Sequence, residues 1–290
     1  MTRWLTLALT CTLLLALPTA QADSHNSVTL SRIADSGTFR IGYVPTAAPM
    51  SFVDSQGQPT GYSVELCRHI AGAVQRRLGL EEMALEYVPL VLPRERIDAV
   101  VNGDVDIECG ATTVTLSRRE LVDFTLMTFI TGGTVLSTKK NPIASLEDLP
   151  GKRIAVIKGT TTEEALLRFG ELNEYSFRLA LIRTHDDGME LLNAGEVDGY
   201  ASDRVMLIGQ VFRSADSSNY VMARRVFSRE PYSLMLRRGD TEFRLVADRA
   251  LAELYGDARI RRLHHKWFGR YGEPLSPVVE AMYEFQAVGE

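Results

Sequence analysis

The chain has 290 residues, 45% hydrophobic and 24% charged, with a formal net charge of −5. That composition fits a soluble globular protein of one large or two small domains. The mild acidity, with no basic stripe carrying aromatics, argues against a nucleic-acid partner.

In chain order, the N-terminus comes first. Arg3 precedes an apolar run, Trp4 to Leu17, in which the polar side chains are threonines. Pro18 breaks the run, and Ala20-Gln21-Ala22 follows as a small-x-small cleavage signal. The run is short for a bilayer span. Residues 1–22 are therefore expected to be a cleaved signal peptide, and the alternative is an uncleaved anchor. Cys11 lies inside the run, which rules against lipid attachment. Cys67 and Cys109 remain, 42 residues apart. Outside the cytoplasm a bridge between them could persist, with a loop-closure contribution of about 4 kcal/mol. Two buried thiols are the alternative.

Predicted elements then alternate. Phe39 to Val44 reads as a strand, and Ser63 to Leu78 as a helix ending at Gly79. Leu85 to Val88 is a strand, Glu95 to Asn102 a helix closed by Gly103, and Val105 to Cys109 a strand. This pattern predicts parallel βαβ units. The same order recurs. Arg153 to Ile157 is a strand, and a helix follows from Thr162. Asp187 to Ala194 is a helix closed by Gly195, and Val197 to Ala201 a strand. Asn102-Gly103-Asp104-Val105-Asp106 is echoed by Ala194-Gly195-Glu196-Val197-Asp198, and Ser36 to Ile41 by Pro150 to Ile154. Two related α/β lobes are expected. The chain would cross between them near Ile130 to Thr134 and again near Phe227 to Tyr232. Residues 27–131 and 228–290 then form one lobe, and 132–227 the other. The basic amphipathic stretch Arg259 to Trp267 joins the first lobe, with His264 and His265 read as surface residues.

Ligands of open α/β sheets sit beyond the carboxyl ends of the strands. Facing lobes form a cleft there, and a hinge can close it. After Cys109 the chain reads Gly110-Ala111-Thr112-Thr113 and reaches Arg118, a loop suited to an anion and an arginine suited to a carboxylate. In the second half, Lys158-Gly159-Thr160-Thr161-Thr162-Glu163 combines a capping box with a helix N-terminus. One threonine can cap while another faces the cleft. Asp203, at a strand end, could accept an ammonium group or cap the next helix.

Together and in order, a set of motifs resembles the periplasmic amino-acid-binding proteins of ABC importers, extracellular solute-binding family 3. They are Gly61-Tyr62-Ser63, Asn102-Gly103 through Glu108-Cys109-Gly110, Thr112-Thr113 with Arg118, Val122-Asp123-Phe124, Gly159-Thr160-Thr161 and Lys266-Trp267-Phe268. The glutamate/aspartate-binding members look most similar, and the likeness covers nearly all the mature chain. It implies a two-lobe Venus-flytrap fold with a ligand cleft between the lobes. It implies that Arg118 grips the ligand α-carboxylate, helped by Thr113 and by the backbone N–H of Ala111, where relatives often have serine. Thr161 would contribute from the facing lobe, and Asp203 would take the α-ammonium. Acidic binders place an arginine at the position of Val44. Arg96 and His185 match their side-chain site and would supply one or two cationic groups, while Pro93 replaces a serine. An acidic or amide amino acid is the implied ligand, since Arg96 would repel a basic one. The resemblance further implies a periplasmic monomer that serves a membrane permease, with no metal or cofactor. Two alternatives remain. One is a dehydratase-like enzyme on the same fold, with Glu108 and His185 as acid and base. The other is a sensor feeding a membrane receptor.

Overall fold

The computed structural model describes residues 27–272 and 274–289. The expected signal peptide lies outside the described residues. Two five-stranded sheets organise the molecule. In the first, the strand order is Ala84–Pro89, Thr38–Tyr43, Ile107–Glu108, Glu230–Arg237, Val122–Thr131. In the second it is Arg178–Ile182, Arg153–Ile157, Gly199–Asp203, Gly133–Thr138, Tyr220–Met222. In each sheet the first three strands run parallel and the last two pair antiparallel. The shared order makes this a two-lobe α/β fold built on one repeated plan.

The short sequence echoes have a common structural role. Gly103 and Gly195 close the helices Pro93–Asn102 and His185–Ala194 in the left-handed region, at φ 77° and 71°. Glycine reaches that region without a Cβ clash. Three residues later, Asp106 accepts from the backbone N–H of Arg40 and Asp198 from that of Arg153, both at 2.7 Å. Each aspartate therefore ties its helix–strand connection to the second strand in the order of its own sheet.

Element boundaries moved where side chains cap helices. The helix expected from Asp187 begins at His185. Thr184 accepts from the N–H of Asp187, whose carboxylate accepts from the N–H of Thr184. The strand expected over Val105 to Cys109 shortens to Ile107–Glu108, and its counterpart lies at Gly199–Asp203.

The C-terminal helices complete the first lobe's core. Phe243, Leu251 and Leu254 on the helix Thr241–Tyr255 pack with Leu66 and Ile70 on the helix Tyr62–Leu78. Cys67 on that second helix forms a disulfide with Cys109, with Cα atoms 6.3 Å apart. Both residues are buried, and Cys109 immediately precedes the Gly110 loop.

His264 corrects the expectation of a surface residue. On the helix Ala258–Phe268 the buried positions are Ile260, His264, Trp267 and Phe268, an i, i+4, i+7, i+8 stripe. The His264 ring stacks on Phe129 at 6.2 Å, and burial pushes its pKa down to about 4. His265 is exposed, as expected.

The lobes are joined closely. Only Gly132 separates the strands Val122–Thr131 and Gly133–Thr138. A Cβ on Gly132 would stand 2.5 Å from the carbonyl oxygen of Ser228 on the returning segment, so the two crossings need glycine to approach. No helix among the described residues is long and apolar enough to cross a membrane.

Candidate ligand-binding cleft

The carboxyl ends of the parallel strands face one another across a cleft of about 660 Å³, its open mouth included. Arg96, Ala111, Thr113, Arg118, Thr161, His185 and Asp203 all line it. Val44 and Pro93 line it as well.

Arg118 lies in a short helix, Leu116–Arg119, that Thr115 caps. Its Nη1 donates to the carbonyl of Thr113 at 2.7 Å. Burial, and then the neighbouring Arg96, lowers its pKa, yet an arginine stays charged at any physiological pH. One of its five donors is used in that bond, and the side chain lines the cleft with the rest.

Across the cleft, the helix Thr161–Leu172 starts with a division of labour. Thr160 accepts from the N–H of Glu163 at 3.2 Å, and Glu163 accepts from the N–H of Gly159 at 2.6 Å. Capping is thereby assigned to Thr160, and Thr161 and Thr162 are free for other contacts. Thr162 donates to Asp203 at 3.1 Å. Thr161 donates to Glu230 at 2.9 Å, and Thr113 of the first lobe donates to the same carboxylate oxygen at 2.6 Å. A hydroxyl carries one proton. With those protons on Glu230, Thr113 and Thr161 offer lone pairs to the cleft, which suits an ammonium group better than a carboxylate.

Glu230 was not foreseen. It is buried at the start of the strand Glu230–Arg237 and accepts a third bond from Ser228 at 2.5 Å. Its three hydroxyl partners come from the first lobe, the second lobe and the crossing. Tyr232, two residues on, was also missed and donates to Asp203. The return crossing itself was legible, but nothing in its sequence named which side chains meet there.

Asp203 occupies the N-cap position of the helix Arg204–Arg213, but its side chain makes no capping bond. Asp203 therefore does not cap that helix; the carboxylate points to Tyr232 and Thr162. Burial, followed by the nearby Glu230 carboxylate, pushes its pKa up to about 7.

The far end of the cleft holds Arg96 and His185. Arg96 sits in the first turn of the helix Pro93–Asn102, 11% exposed, with Nη1 3.7 Å from Oε1 of the fully buried Glu108. The Nδ1 of His185 meets the hydroxyl of Tyr200 at 2.6 Å. Burial, and then Arg96, pushes the pKa of His185 down to about 4. The histidine is neutral at pH 7, so it is not the second cation that its sequence position suggested. Among the described residues, no group of His, Cys, Asp or Glu could hold a metal ion.

Residues 39–270 match the family model of the bacterial extracellular solute-binding proteins, family 3. The chain belongs to that family. It is 31% identical over 250 residues to an L-glutamate/L-aspartate-binding protein of Pseudomonas aeruginosa, covering 86% of this chain and 82% of that one. Its fold is similar to a solved ancestral arginine-binding protein bound to glutamine, with a TM-score of 0.71 and 28% identity, covering 80% of this chain and 98% of the other. It is also similar to an ancestral amino acid-binding protein described as a precursor of cyclohexadienyl dehydratase, with a TM-score of 0.70 and 27% identity, covering 83% and 99%. This family 3 chain thus carries its cleft between two lobes, as the motifs implied.

Proposed function

We propose that this protein is the substrate-binding component of an ABC importer. It captures an acidic or amide amino acid in the periplasm and delivers it to a membrane permease. The observation that carries the reading is a half-buried cation, Arg118, and a buried carboxylate, Asp203, brought from different lobes to one cleft. A zwitterion complements that pair. Arg118 and the N–H of Ala111 take the α-carboxylate. Asp203, with the lone pairs of Thr113 and Thr161, takes the α-ammonium. Arg96 and His185 meet the side chain. The N-terminal 22 residues act as the export signal, and the mature protein works as a monomer. A dehydratase would need Glu108 beside the ligand, but Glu108 lies beneath Arg96 and is not part of the cleft lining.

The test is a thermal-shift screen of the purified mature protein against the twenty amino acids. A ligand at about a hundred times its Kd stabilises by about 2.7 kcal/mol. A shift confined to glutamate, aspartate, glutamine or asparagine supports the proposal. No shift with any amino acid overturns it.

A further inference from the structure

The ammonium end of the cleft is organised by a residue outside its lining. Glu230 does not line the cleft, whereas its partners Thr113 and Thr161 do. Thr113 is fixed within the first lobe. Backbone bonds flank it, from the N–H of Val114 to the carbonyl of Pro231 at 2.8 Å and from the N–H of Ser233 to the carbonyl of Thr112 at 3.2 Å. Thr113 is therefore seated beside the strand Glu230–Arg237 whatever the second lobe does. Thr161 reaches the same place from the second lobe through side-chain bonds, to Glu230 at 2.9 Å and to Thr113 at 3.3 Å.

A hydroxyl has one proton and two lone pairs, so the direction of the proton decides what the oxygen offers elsewhere. Oε2 of Glu230 accepts from Thr113 at 2.6 Å, and Oε1 accepts from Ser228 at 2.5 Å. Ser228 accepts in turn from the N–H of Gly133 at 2.9 Å, which leaves its proton for Glu230. The proton of Thr161 goes to Glu230 or to Thr113, and both lie inside the cluster. None of these protons is directed at the cleft. Thr113 and Thr161 face it as acceptors, and the buried Asp203 is a third. An α-ammonium has three N–H donors, which match these three groups. A 2-hydroxy acid brings a single proton to the same acceptors.

We infer that Glu230 is a positioning residue that sets the demand for an α-amino group: it holds the protons of Thr113 and Thr161 away from the cleft, so that both oxygens accept from the ligand's ammonium and an α-hydroxyl in its place is rejected. This rests on the amino-acid reading above and deepens it. The device is complete only with the lobes together, because Thr161 belongs to the second lobe and Thr113 and Glu230 to the first. Selection for the amine is thereby assembled on closure and is not a property of either lobe alone. Without Glu230 the two hydroxyls turn freely and serve a donor or an acceptor alike.

The experiment is isothermal titration of the mature protein with glutamate, aspartate, glutamine and asparagine, and then with the 2-hydroxy counterpart of the tightest binder. It is repeated on Glu230→Met, which keeps the side-chain length and removes the acceptor, on the pair Thr113→Val and Thr161→Val, and on all three combined. The native protein is expected to favour the amino acid at least about a hundredfold, since a site built around a polar group rejects the analogue that lacks it. In E230M that ratio is expected to fall at least about tenfold, and in the protein already lacking both hydroxyls E230M is expected to change it less than about threefold, the non-additivity of residues that act through one another. An E230M ratio within about threefold of the native one overturns the inference, and so does an effect of about tenfold in the hydroxyl-free background. If E230M does not fold, as judged by circular dichroism, Thr113→Val and Thr113→Ser decide. The ratio is expected to fall in T113V and to be retained in T113S, and an unchanged ratio in T113V overturns the inference. Binding of none of the four amino acids overturns the amino-acid reading itself, and this inference with it.

Discussion

Two loops in equivalent places of the two lobes do different chemistry. The loop after the strand Ile107–Glu108 and the loop after the strand Arg153–Ile157 both leave a parallel strand, both carry paired threonines, and both reach the cleft. The first enters a four-residue helix that holds Arg118, is tethered by the Cys67–Cys109 disulfide, and lies over a buried ion pair. The second enters a twelve-residue helix through the Thr160 cap, with Glu163 accepting from the N–H of Gly159, and presents hydroxyls. One lobe therefore supplies fixed positive charge. The other supplies neutral donors and acceptors and the exposed Arg183, with Asp203 as its buried carboxylate in the cleft. Glu230, on the strand that returns from one lobe to the other, binds a threonine from each. A repeated topology places loops at a cleft, but it does not assign their chemistry.

Breaking the charged side has the largest expected effect. Arg118→Ala should weaken ligand binding by roughly 2–5 kcal/mol, the range for truncating one partner of a buried charge pair. Titration calorimetry measures it, and an unchanged affinity would remove Arg118 from the anchor role.

The neutral side can be tested through pH. The pKa of His185 in the folded protein is about 4, below the ordinary 6.5. The unfolded chain therefore takes up the proton first as pH falls. Stability contributed by keeping this ring neutral is fully present above about pH 6.5 and declines toward pH 4, with a slope of up to about 1.4 kcal/mol per pH unit. Asp203 titrates with the opposite sign, because its folded pKa is raised, so the informative quantity is the difference between native protein and His185→Gln. Urea melts at several pH values should show a shallower acid decline in H185Q. Parallel curves would contradict a buried neutral histidine.

The smallest effects sharpen the comparison within the second loop. Thr161→Val should cost about 0.5–1.5 kcal/mol of ligand affinity, the net value of one hydrogen bond, by releasing the second lobe from Glu230. Thr160→Ala should instead lower folding stability by about 1 kcal/mol through the lost cap. Equal effects on both readouts would mean that the two neighbouring threonines do not divide the work.

Local chemistry was legible without coordinates. Gly103 and Gly195 mark helix ends because only glycine takes that backbone without cost, and Thr160 marks a helix start because its cap bond to the N–H of Glu163 closes within four residues. The motif order placed Arg118 in the loop beyond one strand and Asp203 at the end of another, and parallel strands direct such segments to a common edge. What the amino-acid sequence determined by itself is thus the set of contacts that close within a few residues, and the repeat that multiplies them. The rest depended on partners far apart in the chain. Glu230 meets Thr113 across 117 positions and Thr161 across 69. Tyr232 meets Asp203 across 29, and His264 stacks on Phe129 from a C-terminal helix. The neutrality of His185 and the pairing of Arg96 with Glu108 belong to the same class. Burial and neighbouring charge set the protonation and availability of a side chain, and both are properties of the folded surroundings, which only the tertiary structure decides.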